Sequence, residues 1–244
     1  MIPQLPIYVS IVFGLTTCLA LACLFISFRQ SSSHRSLAIP FLIGAVVWLG
    51  LQMLLALNGF YSNNPDTIPP KFLLAIGPPL ILILFLFVTE KGKAILDDLP
   101  LLPITYMHTV RVPVELVLYW LFLYGAVPEL MTFAGRNFDI LAGITAPFVA
   151  YVGMQKGLLN TRGLLVWNMI ALGLVLFIVV NALLSAPLPF QQFAFDQPNV
   201  GVFYFPFVWL PAFVVPAVFF GHFTAIRRLR QRLRQAVNET AVPA

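Results

Sequence analysis

The stretch YMHTVRVPVELVLYW, residues 106–120, decides how the chain must fold, because it places ionisable residues inside an apolar helix. At about 100° per residue, four polar side chains fall within an arc of roughly 80°. They are His108, Arg111, Glu115 and Tyr119, here called the polar stripe, and Pro113 lies among them. In lipid, an ionised side chain costs on the order of 3 kcal/mol. Other parts of the fold must therefore offset that cost.

The composition of the whole chain identifies an integral membrane protein. Hydrophobic residues make up 60% of the 244 residues and charged residues only 9%, and the mean hydropathy is +0.92. Soluble domains carry about 25% charged residues. A chain of this length has room for seven or eight spans of about 20 residues each, and none for a soluble domain of independent size.

Polar segments and prolines divide the chain into seven predicted transmembrane helices. The fourth contains the polar stripe and ends near Pro128, and residues 90–102 before it suggest a short interfacial helix. Prolines within spans three, four and seven predict bends there. The other predicted spans are residues 7–28, 37–57, 68–88, 138–154, 164–184 and 200–226.

The basic residues give the predicted orientation. With seven spans, most of them fall on one side of the membrane, which the positive-inside rule makes the cytoplasmic side. The N-terminus is then outside and the C-terminus cytoplasmic. These cations are Arg29, Arg35, Lys91, Lys93, Lys156, Arg162 and the arginines of the tail, against Lys71 and Arg136 on the other side. A plasma membrane or bacterial inner membrane suits this pattern.

A basic tail follows the predicted transmembrane domain of residues 1–226. It covers residues 227–244, and its five arginines supply most of the net charge of +5. Such a local excess does not indicate a nucleic-acid-binding face, and its natural partner is the anionic lipid of the cytoplasmic leaflet. The arginines are Arg227, Arg228, Arg230, Arg232 and Arg234.

Two further polar residues are predicted at the depth of the polar stripe. Asn168 lies in the cytoplasmic half of span six, and His222 lies near the cytoplasmic end of span seven. Arg111 and Glu115 have the i,i+4 spacing of an intrahelical ion pair. Together with the stripe these residues predict a polar cavity, or an ion pathway, that opens to the cytoplasm. The alternative is a structural role, with the arginine covering carbonyls that Pro113 leaves free.

Other chemistry is less well supported by the sequence. His108 and His222 at similar depth raise the option of bis-histidine haem ligation, whereas zinc lacks the usual ligand spacing. Glu129, Arg136 and Asp139 form a secondary charged group on the outer side, where Arg136 and Asp139 have an i,i+3 spacing. A solvated or structural role suits that group, and a gate or ligand contact is the alternative.

Three functions are compatible with these residues. The first is a protein that binds or translocates a small molecule or ion through the polar cavity. The second is a non-catalytic receptor, sensor or assembly subunit in which the charged cluster is structural. The third is an intramembrane enzyme, which ranks last because the sequence offers neither a nucleophile arrangement nor a metal-ligand set.

Overall fold

The computed structural model of the chain describes residue 2 and residues 4–241, and within that part it contains helices and loops but no β-strand. Four helices are long and apolar enough to cross a membrane: Ile7–Arg29, Arg35–Leu57, Thr161–Ser185 and Leu210–Asn238. A bent pair, Leu73–Val88 with Glu90–Asp98, makes a fifth candidate. The prediction of an all-helical chain with several apolar spans is confirmed at this level.

The first four helices are α1 (Ile7–Arg29), α2 (Ala38–Leu57), α3 (Leu73–Val88) and α4 (Glu90–Asp98). α4 turns away from α3 by 92°. The turn follows from the Thr89 hydroxyl, which accepts a hydrogen bond from the Gly92 N–H at 3.1 Å and so starts a new helix. A Cβ at Gly92 would lie 2.3 Å from the Leu86 carbonyl oxygen, so only glycine fits there. The sharp bend therefore lies at Thr89, and α3 continues through the two internal prolines that predicted one.

The polar stripe lies on a helical run that changes its winding. α5 (Leu101–Met107) passes through a 3₁₀ turn, His108–Val110, into α6 (Arg111–Leu123). Pro113 follows the 3₁₀ turn as the third residue of α6, and proline is tolerated in the first turn of an α-helix. The irregular turn thus falls at the stripe, between His108 and Arg111.

The next helix begins deep beside this run. α7 (Asp139–Phe148) continues as a π-helical segment, Val149–Gln155. Its first residue, Asp139, forms an ion pair with Arg111. At 1.5 Å per residue, Arg111 lies about 15 Å along the run from Leu101. Near the other end, Met154 accepts a hydrogen bond from Thr105 at 3.3 Å. α7 therefore lies beside the first half of the run, and residues 124–138 reach its start as irregular chain.

The last two helices pack around the polar stripe. α8 (Thr161–Ser185) packs along α9 (Val215–Ala241), which is preceded by a π-helical segment, Leu210–Val214. The predicted start of span seven at residue 200 was wrong by ten residues. Residues 204–208 are not helical, because the residue before Pro206 is disfavoured in the α conformation.

α9 continues without a break into the basic tail. Arg227 donates two hydrogen bonds of 2.8 Å to the Asp97 carboxylate on α4, and Arg228 donates to the Leu99 carbonyl. On the same side, Asp98 accepts hydrogen bonds from Ser31 and His34 after α1. These contacts bring the ends of α1, α4 and the transmembrane part of α9 together at one face of the bundle.

A second apolar core holds the opposite ends of α2 and α3. Tyr61, which is fully buried there, packs edge-on against Phe72 and donates a hydrogen bond of 2.6 Å to the side chain of Gln52. Burial raises the pKa of Tyr61 from 10.0 to about 12, and the hydrogen bond to Gln52 lowers it by less.

The Tyr61 contact generates a prediction. Because its folded-state pKa is raised, the stabilising contribution of Tyr61 is fully present below pH 10 and is lost as the pH rises toward 12. The variant Tyr61→Phe, which leaves Gln52 without its donor, should be less stable by about 1–2 kcal/mol at pH 8. The difference should shrink above pH 10 in thermal melts, whereas Tyr124→Phe, at an exposed tyrosine, should match the wild type at every pH.

Candidate functional site

Arg111, the first residue of α6, joins four helices inside the bundle. Its side chain is buried, and Nη2 donates to the Ala171 carbonyl on α8 at 3.2 Å and contacts His222 Nε2 on α9 at 3.1 Å. Nε lies 3.2 Å from Asp139 Oδ2 at the start of α7, which is ion-pair distance. The guanidinium group suits this position because its donors point in several fixed directions.

The contacts of His222 identify its tautomer. Nδ1 lies 2.9 Å from Asn168 Oδ1, and Asn168 is fixed in that orientation because its Nδ2 donates to the Leu164 carbonyl at 2.9 Å. Nδ1 must therefore carry the proton, which leaves Nε2 to accept the hydrogen bond from Arg111. In this arrangement the His222 ring is neutral and is held between a donor and an acceptor.

Asn137 connects Glu115 to Asp139. Its Nδ2 donates to Glu115 Oε1 and, at 3.0 Å, to the Met131 carbonyl, and its Oδ1 accepts from the Asp139 N–H at 3.0 Å. This last bond is an Asx turn, which satisfies one of the free N–H groups at the start of α7. The irregular chain before α7 is thereby tied to the polar stripe.

His108 packs against His222 face to face. The ring centroids are 3.9 Å apart with planes 14° from parallel, and the Trp167 ring lies edge-on to His108 at 5.8 Å. The close approach depends on Gly221, where a Cβ would lie 3.1 Å from His108 Cε1 and Nε2. Nδ1 of His108 has no hydrogen-bond partner within the described chain.

The two histidines do not fit haem. Axial ligands must stand on opposite faces of the macrocycle, but these rings are stacked directly on one another with no space between them. Both nitrogens of His222 are also engaged, by Asn168 and Arg111. The haem option considered from the sequence is therefore not supported by the arrangement of these side chains.

These contacts define one connected cluster, here called the buried network. All its members are buried, and Nη1 of Arg111, Oδ1 of Asp139 and Oε2 of Glu115 have no hydrogen-bond partner in the described part of the chain. The two carboxylate oxygens can accept a proton or a hydrogen bond, and Nη1 of Arg111 can donate a hydrogen bond to a small polar species. The members are His108, Arg111, Glu115, Asn137, Asp139, Asn168 and His222.

The structure brings together five of the six residues that the sequence assigned to the cytoplasmic-side site and leaves one apart. Tyr119 is half-buried and stacks on Phe133 with centroids 4.9 Å apart. The expected ion pair between Arg111 and Glu115 is not among the salt bridges of the described residues, because Arg111 pairs with Asp139 and Glu115 binds Asn137.

The secondary outer group is divided by the structure. Glu129 and Arg136 are exposed, whereas Asp139 is buried in the network. Sequence reasoning also missed Asn137. Asn137 lies two residues before Asp139, the acidic first residue of α7. This spacing is typical of an Asx turn, which predicts where a helix starts but not how deeply that start is buried.

Two apolar cavities lie away from the network. One of about 440 Å³ and one of about 130 Å³ are lined by apolar residues, apart from Asn199 in the smaller one, and no network residue contributes to either wall. The network is therefore packed among helices and is not part of the wall of these cavities.

Comparisons with protein families, with curated proteins and with solved structures find no match for this chain. The fold and the site define a helical protein with several apolar spans and a buried ionisable network. Its function has to be inferred from that geometry.

The pairing of Arg111 with Asp139 can be tested by a double-mutant cycle. Arg111→Met or Asp139→Asn alone leaves one buried charge unpaired and should cost about 3–5 kcal/mol. The double variant removes both charges and should cost clearly less than the sum of the two, as measured by thermal or denaturant unfolding in detergent. Arg136→Met, at the exposed arginine, is the control and should melt like the wild type. Additive losses would contradict a direct interaction.

Proposed function

We propose that this chain is a membrane protein that translocates protons, and that the carboxylates and imidazoles of the buried network carry the protons while Arg111 and the asparagines hold them in place. The observation that carries the proposal is the connection of Asn168, His222 and Arg111 to Asp139, and through Asn137 to Glu115, inside a bundle of apolar helices. Ionisable residues at such depth are costly, and chains of aspartate, glutamate and histidine characterise proton relays.

The close packing of the network favours a proton over a larger solute. The side chains of Arg111, Glu115 and His222 are at most 2% exposed, so a hydrated ion or an organic molecule would need the helices to separate. A proton needs only a series of hydrogen-bonding groups with free capacity. Glu115 Oε2, Asp139 Oδ1 and His108 Nδ1 provide acceptors or donors of this kind.

For translocation we propose seven membrane crossings, with the N-terminus outside and the C-terminus in the cytoplasm. Beyond the five candidate spans, the helical run from α5 to α6 and the run from α7 into its π-helical segment supply two more. The outer half of the latter crossing is irregular chain, which is tolerated in a membrane where protein covers it. Buried Thr132 and Asn137 support such covering.

The positions of the cations support this orientation. The contacts of Arg227 with Asp97, and of Asp98 with Ser31, bring basic segments of the chain to one face, which the positive-inside rule assigns to the cytoplasm. The exposed tail arginines Arg230, Arg232 and Arg234 then face the anionic leaflet of a plasma or bacterial inner membrane.

Proton flux in proteoliposomes tests the proposal. The vesicles contain a pH-sensitive dye, and valinomycin imposes a potassium potential. The internal pH should change faster with the wild-type protein than without protein. Glu115→Gln should lose most of this flux, because an amide keeps the Oε1 contact with Asn137 but cannot exchange a proton. Glu129→Gln, which changes an exposed carboxylate, is the matched control and should keep the wild-type rate.

The melting temperature separates this function from a purely structural network. Glu115→Gln should melt within a few degrees of the wild type if the network conducts protons. A variant with wild-type flux and a large stability loss would instead favour the structural role of a receptor or assembly subunit. Wild-type protein that gives no flux above empty vesicles would refute the proposal.

A further inference from the structure

The larger cavity lies between α1, α2, α3 and the segment Leu210–Val214 with α9. Its volume of about 440 Å³ is in the range of ligand pockets, and its walls consist of apolar side chains. The indole N–H of Trp48, the one side-chain hydrogen-bond donor in the wall, is already used by the Ala212 carbonyl at 2.9 Å. An apolar cavity of this kind suits hydrocarbon and not water.

The cavity opens to the surface between α2 and α3. Pro40 and Gly44 of α2 and Pro78 and Leu82 of α3 line it and are exposed at the surface. α3 packs loosely here, since Ala75 is its one buried residue. The exposed faces of these two helices are apolar, as is required of surfaces in the hydrocarbon core. A hydrocarbon chain fits the chemistry of such an opening.

Unpaired cations lie at the helix ends nearest this cavity. Arg29 directly follows the wall residue Phe28, Arg35 precedes Pro40 by five residues, and Lys91 follows Leu86 by five. All three are exposed, and none belongs to an ion pair of the described residues, whereas Lys93 is paired with Glu90. An anionic headgroup therefore finds unpaired positive charge close to the hydrocarbon pocket.

We propose that this cavity is a binding site for one anionic glycerophospholipid, with an acyl chain between α2 and α3 and the phosphate near Arg29, Arg35 and Lys91. The site is separate from the buried network and from the basic tail. It does not depend on proton translocation, because no residue of the network lines it.

Native mass spectrometry of the delipidated full-length protein tests the site. Phosphatidylglycerol and phosphatidylcholine with the same acyl chains are titrated in turn, and the bound lipids are counted. The wild type should bind one phosphatidylglycerol more tightly than phosphatidylcholine. Gly44→Phe should weaken that binding by about tenfold or more, because the ring takes the place of the acyl chain. No heavy atom lies within 4 Å of a Cβ at Gly44, so the substitution itself is tolerated.

Two further variants complete the test. Gly50→Phe is the matched control on the same helix, also with no heavy atom within 4 Å of the added Cβ and outside the cavity wall, and should bind like the wild type. Arg35→Gln with Lys91→Gln leaves the packing untouched, removes two of the three cations and should clearly reduce the preference for phosphatidylglycerol. Wild-type binding by Gly44→Phe would overturn the acyl-chain site, and equal binding of both lipids by the wild type would overturn the headgroup assignment.

Discussion

The burial of one guanidinium group constrains the arrangement of helices around it. Arg111 cannot be deprotonated, so a fold that places it in an apolar bundle has to supply a counter-ion and acceptors at fixed positions. The structure supplies them from three directions: Asp139 from α7, the Ala171 carbonyl from α8 and His222 from α9. The mutual positions of α6, α7, α8 and α9 are coupled to these contacts, since a shift of any one helix would leave a buried charge or dipole unpaired.

The unusual path of the chain before α7 follows from the same constraint. The carboxylate that reaches Arg111 belongs to the first residue of α7, so the residues before it run beside the polar stripe as irregular chain. Asn137 makes that arrangement possible because one side chain satisfies Glu115, the Met131 carbonyl and the Asp139 N–H together. Gly143 allows α7 to approach closely, since a Cβ there would lie 2.9 Å from the Val112 backbone nitrogen.

The sequence predicted the helical class and the stripe because both depend on local regularities, namely long apolar runs and the 3.6-residue period. It also placed Asn168 and His222 at the depth of Arg111, because the number of residues between each of them and the basic end of its helix gives its predicted depth. It missed the partner of Arg111. Asp139 follows a stretch with charges and a glycine, and such composition indicates a surface turn, whereas its true depth depends on tertiary contacts. Tyr119 lies apart from the network, stacked on Phe133, because helical periodicity gives a common face but does not say how far along that face the polar neighbours extend.

α9 separates two environments of opposite character within a few residues. Ala217 and Phe220 face the apolar cavity, while Gly221 and His222 face the network, where the missing side chain of Gly221 lets the His108 ring approach. The proposed acyl chain in the cavity would contact the same helix that holds His222 between Asn168 and Arg111. Helices pack as rigid rods at near-crystalline density, so displacement on one side of α9 is felt on the other. The cavity and the network therefore share one helix, which contributes different residues to each.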